Sequence, residues 1–488
     1  MNATRSIATA AAVAAVLLWQ GAASATDLPQ PPAQAALHVL NRLAYGPRPG
    51  DIERVTQMGV QRYIDSQLHP ESIPMPAALT ARLDALETAR QPAGRTLAQF
   101  LAVREMAKDE GEEGKARRRA VVVNIAEQTA EARLARAVDS PRQLEEVMVD
   151  FWFNHFNVFE GKGLDRALVA SYERDAIRPY ALGSFRDLLG ATAHHPAMLF
   201  YLDNWLSTAD GFVPRGRLNA KVKTAGLNEN YARELMELHT LGVDGGYTQR
   251  DVRELARMLT GWTFNPRALA LRDEGFVFDA RRHDNGDKQW LGHIVHGGGQ
   301  DEGEYALDVL AMHPATAHHI SYELAQYFVQ DAPPPALVDR LARSYLASKG
   351  EIRTVLATLF ASPEFMAPEA QGAKFKTPYQ FVVSAARAGS APLAEIKPVL
   401  GALNRLGMPL YGCQTPDGYK NTEAAWLNPD ALSRRIAIAT VMGRALDAGA
   451  LQATLGGAVS ARTRDTVAAS PEPLRAAMLL GGPDFMQR

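Results

Sequence analysis

The sequence predicts a mainly α fold, a multi-helix globular domain with a small β-hairpin insertion. Three observations carry that expectation. Segment after segment places apolar residues at helical spacing. Capping residues stand where those segments begin. Strand signals are few, and the best lie in residues 275–297.

Residues 1–25 read as a secretory signal peptide. Arg5 precedes the apolar run from Ile7 to Trp19, and Ala23-Ser24-Ala25 supplies small residues for cleavage. The run is too short and wrongly flanked for a lasting membrane span. No later run approaches transmembrane length. Residues 26–488 are therefore expected as one soluble, mainly helical domain, periplasmic or secreted.

That domain opens with the helical pattern PAQAALHVLNRL. In KDEGEEGKARRR, residues 108–119, charges of both signs surround two glycines, which favour a loop over a continued helix. Ser140-Pro141 with Gln143 supplies an N-cap, a proline at N1 and a capping-box residue for LEEVMVDFWFNHF. Asn228 is expected to cap a helix with Glu229, Arg233 and Glu237 on one face, ended by Gly242 in the left-handed conformation. Thr248 with Asp251 reads as a capping box for DVRELARMLTGW, which Gly261 closes. The predicted hairpin pairs residues 276–278 with 290–295 around Asp284-Asn285-Gly286-Asp287. ATAHHISYELAQYFV, EIRTVLATLFA and ALSRRIAIATVMGRAL add further helices. Residues 408–419, MPLYGCQTPDGY, read as an ordered surface loop.

The charge balance, 52 basic against 54 acidic residues, argues against general nucleic-acid binding. A single cysteine, Cys413, excludes an intrachain disulfide; it could be a free thiol nucleophile, but with no histidine near it in sequence an inert or partly buried cysteine is expected. The sequence has no Gly-x-Ser-x-Gly, P-loop, Gly-x-Gly-x-x-Gly after a strand, His-Glu-x-x-His or Cys-x-x-Cys-His. Those absences disfavour α/β-hydrolases, nucleotide enzymes, zincins and c-type cytochromes.

Three constellations could carry chemistry. In DFWFNHFNV, His155 lies on the apolar face, while Asp150, Asn154 and Asn157 share another stripe. His155 could be a general base, a metal ligand or a core histidine hydrogen-bonded to its surroundings. In the helical elbow, Glu234 and Glu237 precede His239, which a helix C-terminus would favour in the protonated form. Two carboxylates beside a histidine could act as acid and base or hold a divalent metal, but the spacing is not that of a helix-borne metal site. On the hairpin, His293 and His296 should face opposite sides, which weakens a joint metal set with His283, Asp284 and Asp287.

Taken together, LNRLAYGPRPGDI, MVDFWFNHFNV, HPAMLFYLDN, NENYARELMELHTLGVDGGYTQRDV, HDNGDKQWLG, FKTPYQFVVSAARA and WLNPD resemble the DUF1800 family, exported bacterial proteins of unassigned function. The resemblance spans nearly the whole mature chain. It implies export, a mostly helical fold and frequent gene pairing with exported sulfatase-like DUF1501 proteins, a candidate partner, and it supplies no catalytic residues. The family often has Gly-Gln-Pro-Leu and a tryptophan where this chain reads Gly407-Met408-Pro409-Leu410 and Cys413-Gln414, which puts a role for that loop in doubt.

Three functions are expected in turn. The first is an extracytoplasmic enzyme, hydrolase-like, using Asp150, Asn154, His155, Glu234, Glu237 and His239 for acid–base work on an envelope or extracellular polymer. The second is a metal-dependent or redox protein built on His155, Glu237 and His239. The third is a non-catalytic envelope assembly or partner-binding protein, with the same residues in a buried network. No cofactor is legible.

Overall fold

Helices make up 66% of the described residues, as apolar stripes at helical spacing require. The computed structural model describes residues 31–109, 111–213, 226–390 and 395–488; the expected signal peptide lies outside them. Neighbouring helices pack in antiparallel pairs, among them Ala93–Asp109 with Gly111–Asp139 and Pro314–Phe328 with Pro335–Ala347. The apolar core runs without interruption from Ala36 to Met486. Among the described residues no helix is long and apolar enough to cross a membrane.

The Gln143–His155 helix passes through the centre of that core. Leu144, Val147, Met148 and Trp152 are wholly buried, and the Trp152 indole N–H donates to the Ala181 carbonyl at 3.0 Å. The chain then forms the Asp165–Ser171 helix, which widens into a π-helical segment, Tyr172–Ile177. This local widening sets the Glu173 side chain inward, beside Arg133, Arg178 and Tyr411.

The charged stretch corrects the loop expectation. Residues 111–119 open the Gly111–Asp139 helix, with Gly111 at φ 59°. Lys115 pairs with Glu112 at 2.6 Å and Arg117 with Glu113 at 2.7 Å, so charges at helical spacing support what the glycines weaken.

The hairpin pairing is also different. Strand β1 (Trp262–Phe264) pairs antiparallel with β2 (Phe276–Phe278), and β3 (Lys288–Trp290) with β4 (His293–Val295). The tight turn falls at Leu291 and Gly292, both at positive φ, 47° and 82°. The Asp284–Asp287 turn serves the helix instead, where the Asp284 carboxylate grips Arg257 at 2.8 and 3.0 Å. Trp262 belongs to β1 and not to the preceding helix, which ends at Met258.

Caps shift by a residue or more. Thr248 and Asp251 do form the capping box of the Gln249–Met258 helix. Asn228 caps one step early, its Oδ1 accepting from the Asn230 N–H at 2.9 Å, and the Asn230–Glu237 helix ends before Gly242. Likewise Ser140 accepts from the Arg142 N–H at 3.0 Å, and the helix begins at Gln143.

Candidate functional site

The end of the Asn230–Glu237 helix leaves carbonyls without intrahelical partners, and two histidines from other helices meet them. The His155 Nε2–H donates to the His239 carbonyl at 3.1 Å, and His319 Nε2 faces the Leu238 carbonyl at 3.3 Å. The other nitrogen of His155, Nδ1, lies 2.7 Å from Glu323 Oε2. Both ring nitrogens of His155 thus face oxygen acceptors.

These groups border a cavity of about 260 Å³. Its walls come from five parts of the chain. Asp150, Asn154 and His155 project from the Gln143–His155 helix, and Glu237 stands at the end of the elbow helix. His319, Glu323 and Gln326 recur at i, i+4, i+7 on the Pro314–Phe328 helix and so share one face. Thr377 and Gln380 form the capping box of the next wall helix, Pro378–Ala388. Asp417, Tyr419 and Lys420 come from the loop after Met408.

That loop is therefore part of the site, contrary to the doubt cast on it. Asn154 holds it in both directions: its Nδ2 donates to the Tyr419 carbonyl at 2.9 Å, and the Tyr419 N–H donates to Oδ1 at 2.7 Å. Asn157 donates to the Cys413 and Thr415 carbonyls at 3.0 and 2.9 Å. At Gly418, φ is 63° and a Cβ would fall 2.3 Å from the Asn154 carbonyl, so only glycine lets the loop come this close. Cys413, within the loop, is buried.

The carboxyl groups at the cavity differ in environment. Burial pushes Glu323 up, but His155, His319 and Lys420 outweigh it and hold the carboxyl below its ordinary range. Asp150 is pushed up by burial, and its hydrogen-bonded partner Arg133 only partly counters this. Arg133 also bonds Glu173 at 3.1 Å, and the rings of Phe153, Tyr379 and Tyr411 lie 5.1 to 5.3 Å from its guanidinium carbon.

The structure brings Asp150, Asn154, His155 and Glu237 together at the cavity and leaves Glu234 and His239 off its lining. Glu234 is half-buried, and burial and the Glu237 charge raise its carboxyl. The expectation of a protonated His239 is corrected. Its ring is 1% exposed, its Nε2 has no hydrogen-bond partner, and burial with the His155 charge pushes its pKa well down. His239 contributes a backbone carbonyl, not a proton. Sequence reasoning missed His319, Glu323 and Gln326, whose signal was a polar i, i+4, i+7 stripe on an otherwise apolar helix.

Among the described residues no group of three or more His, Cys, Asp or Glu could hold a metal ion, the set His155, Glu237 and His239 included. Several of the remaining histidines have structural partners. His195 Nδ1 caps the Pro196–Tyr201 helix, and His283 bonds Glu302 at 3.0 Å. His293 and His296 are exposed.

Gly242 tests this account of the wall. Its φ is 83°, and a Cβ would sit 3.1 Å from His319 Nδ1. Gly242→Val should cost more than ~1 kcal/mol, since a β-branched residue is forced to positive φ. An unchanged melting temperature would refute this.

A family model described as "Protein of unknown function (DUF1800)" matches residues 38–487. No curated protein and no solved structure matches the chain.

Proposed function

The chain belongs to the DUF1800 family, and from that premise we propose that it is an exported enzyme. In this reading it does acid–base chemistry, hydrolytic in kind, on an envelope or extracellular polymer. Glu323 is the general base, and Asp150 is the carboxyl suited to hold a proton. The observation that carries the reading is the pair of opposed carboxyl environments at one cavity, Glu323 held down beside His155 and Asp150 pushed up. Two acids driven apart in this way divide the roles of base and acid.

The size of the cavity narrows the substrate. About 260 Å³ lies just below the ~300 Å³ at which ligand pockets usually begin. One end group or one protruding unit of a polymer fits; a run of units does not. The apolar core from Ile7 to Trp19 and the Ala23-Ser24-Ala25 cleavage site argue for work outside the cytoplasm, and an exported sulfatase-like DUF1501 partner belongs to the same proposal.

A second reading has its own support. Arg133, Asp150, Glu173, Arg178 and Tyr411 form a closed, buried polar network, as a non-catalytic assembly protein would also need for rigidity. Product release separates the two. Purified chain incubated with cell-wall glycan, exopolysaccharide and exported protein should release product from one of them. Glu323→Gln should lower that rate by at least ~100-fold, the worth of a general base. Release unchanged by Glu323→Gln, or none from any of the three, would defeat the enzyme reading.

A further inference from the structure

A second cavity, of about 40 Å³, is bordered by Glu173 and Tyr411 and lined by four arginines, Arg90, Arg136, Arg174 and Arg178. Three of these have partners. Arg90 pairs with Asp84 at 3.2 Å, Arg174 with Asp175 at 2.6 Å, and Arg178 with both oxygens of Glu146 at 2.8 and 3.0 Å. Arg178 also reaches Glu173 at 3.3 Å. Arg136 has neither a hydrogen bond nor an ion pair, although burial and the adjacent Arg178 charge both oppose its own charge.

The acids nearest to it are already engaged or disfavoured as anions. Glu146 is committed to Arg178, and Glu173 to Arg133, Arg178 and Tyr411. Glu145 is pushed up by burial and by the Glu146 charge. A half-buried guanidinium with a free fork is costly unless something accepts its hydrogen bonds. The cavity has room for about three water-sized spheres, which is the scale of one small oxyanion. Planar guanidinium groups bind such ions through paired, charge-assisted hydrogen bonds.

We infer that this cavity is a binding site for one small oxyanion, with Arg136 as its principal ligand and Arg174 and Arg178 as flanking charge. The ligand class is phosphate, sulfate or a carboxylate group. The site is separate from the His155–Glu323 cavity and does not depend on the reaction proposed there. Glu173 stands between the two, since it also accepts from Arg133, the partner of Asp150.

Titration calorimetry and melting curves on the purified chain test this, with inorganic phosphate, inorganic sulfate and acetate as probes against chloride at constant ionic strength. At least one probe should bind one-to-one and raise the melting temperature. Arg136→Met should weaken that binding by at least ~10-fold, the worth of one charged hydrogen bond. In chloride alone the same variant should melt no lower than the parent, because an unpartnered buried charge has been removed. Should Arg136→Met not fold, Arg136→Lys keeps the charge, loses the fork and should still weaken binding. Binding by phosphate or sulfate but not acetate marks a tetrahedral ligand; the reverse marks a carboxylate. Absence of saturable binding by all three probes, or full affinity in a folded Arg136 variant, would overturn the site.

Discussion

Arg133→Met is expected to destabilise the protein by about 3–5 kcal/mol, the usual cost of removing one partner from a buried ion pair. Arg133 is 5% exposed and joins Asp150 to Glu173 within a ring of three aromatic side chains. Glu173 would keep Arg178 and Tyr411. Asp150 would keep no cation bonded to it, so its carboxyl would be pushed further up, and the loss should grow as the pH rises. Arg133→Met combined with Asp150→Leu should recover part of the loss, because the orphaned carboxyl goes as well. Urea melts of both variants at pH 5 and pH 8 measure this. Equal stability of the single variant and the parent at pH 8 would show that the network does not hold the cavity wall.

Acid should destabilise the chain through His38, with a size that one variant can isolate. The His38 ring is 4% exposed and its Nε2–H donates to the Phe365 carbonyl at 2.8 Å. Burial, and then the Arg42 charge, lower its pKa from 6.5 to about 4. A histidine held neutral in the folded state binds its proton more readily when unfolded, so its contribution is complete above pH 6.5 and is lost as the pH falls towards 4. The loss amounts to about 3 kcal/mol. Gln keeps an N–H donor at similar reach and cannot titrate. Between pH 7 and pH 4 the parent should therefore lose about 3 kcal/mol more than His38→Gln. Parallel stability curves for the two would contradict a neutral, buried His38.

How much of this was legible in the sequence follows from distance along the chain. The helices were legible because each apolar stripe repeats within a few residues, and the Thr248–Asp251 capping box because its partners are three apart. Asp150, Asn154 and His155 could be singled out as polar residues in an apolar helix. Their partners could not, since Glu323 lies 168 residues from His155 and Tyr419 lies 265 from Asn154. The loop after Met408 carries no periodicity, and it takes shape from contacts with distant residues, Asn154, Asn157, Glu173 and Tyr201 among them. The strand at 276–278 stands where it was expected, but the strand pairing was illegible for another reason. At three residues each they are too short to display alternation, and β1 continued a helical pattern that ended at Met258. His239 drew attention by its place at a helix end, but there the backbone carbonyl is what the site uses.

The claim at the centre of this account is that Glu323 serves the chemistry of the cavity and is more than a member of an ion pair. A deletion strain complemented with Glu323→Gln, read beside the melting curve of the purified variant, tests it most directly. Gln keeps an oxygen to accept from His155 Nδ1, so melting should fall by no more than the ~1–3 kcal/mol of a weakened buried hydrogen bond. The account predicts a folded, exported variant that fails to complement. Full complementation by that variant would contradict it.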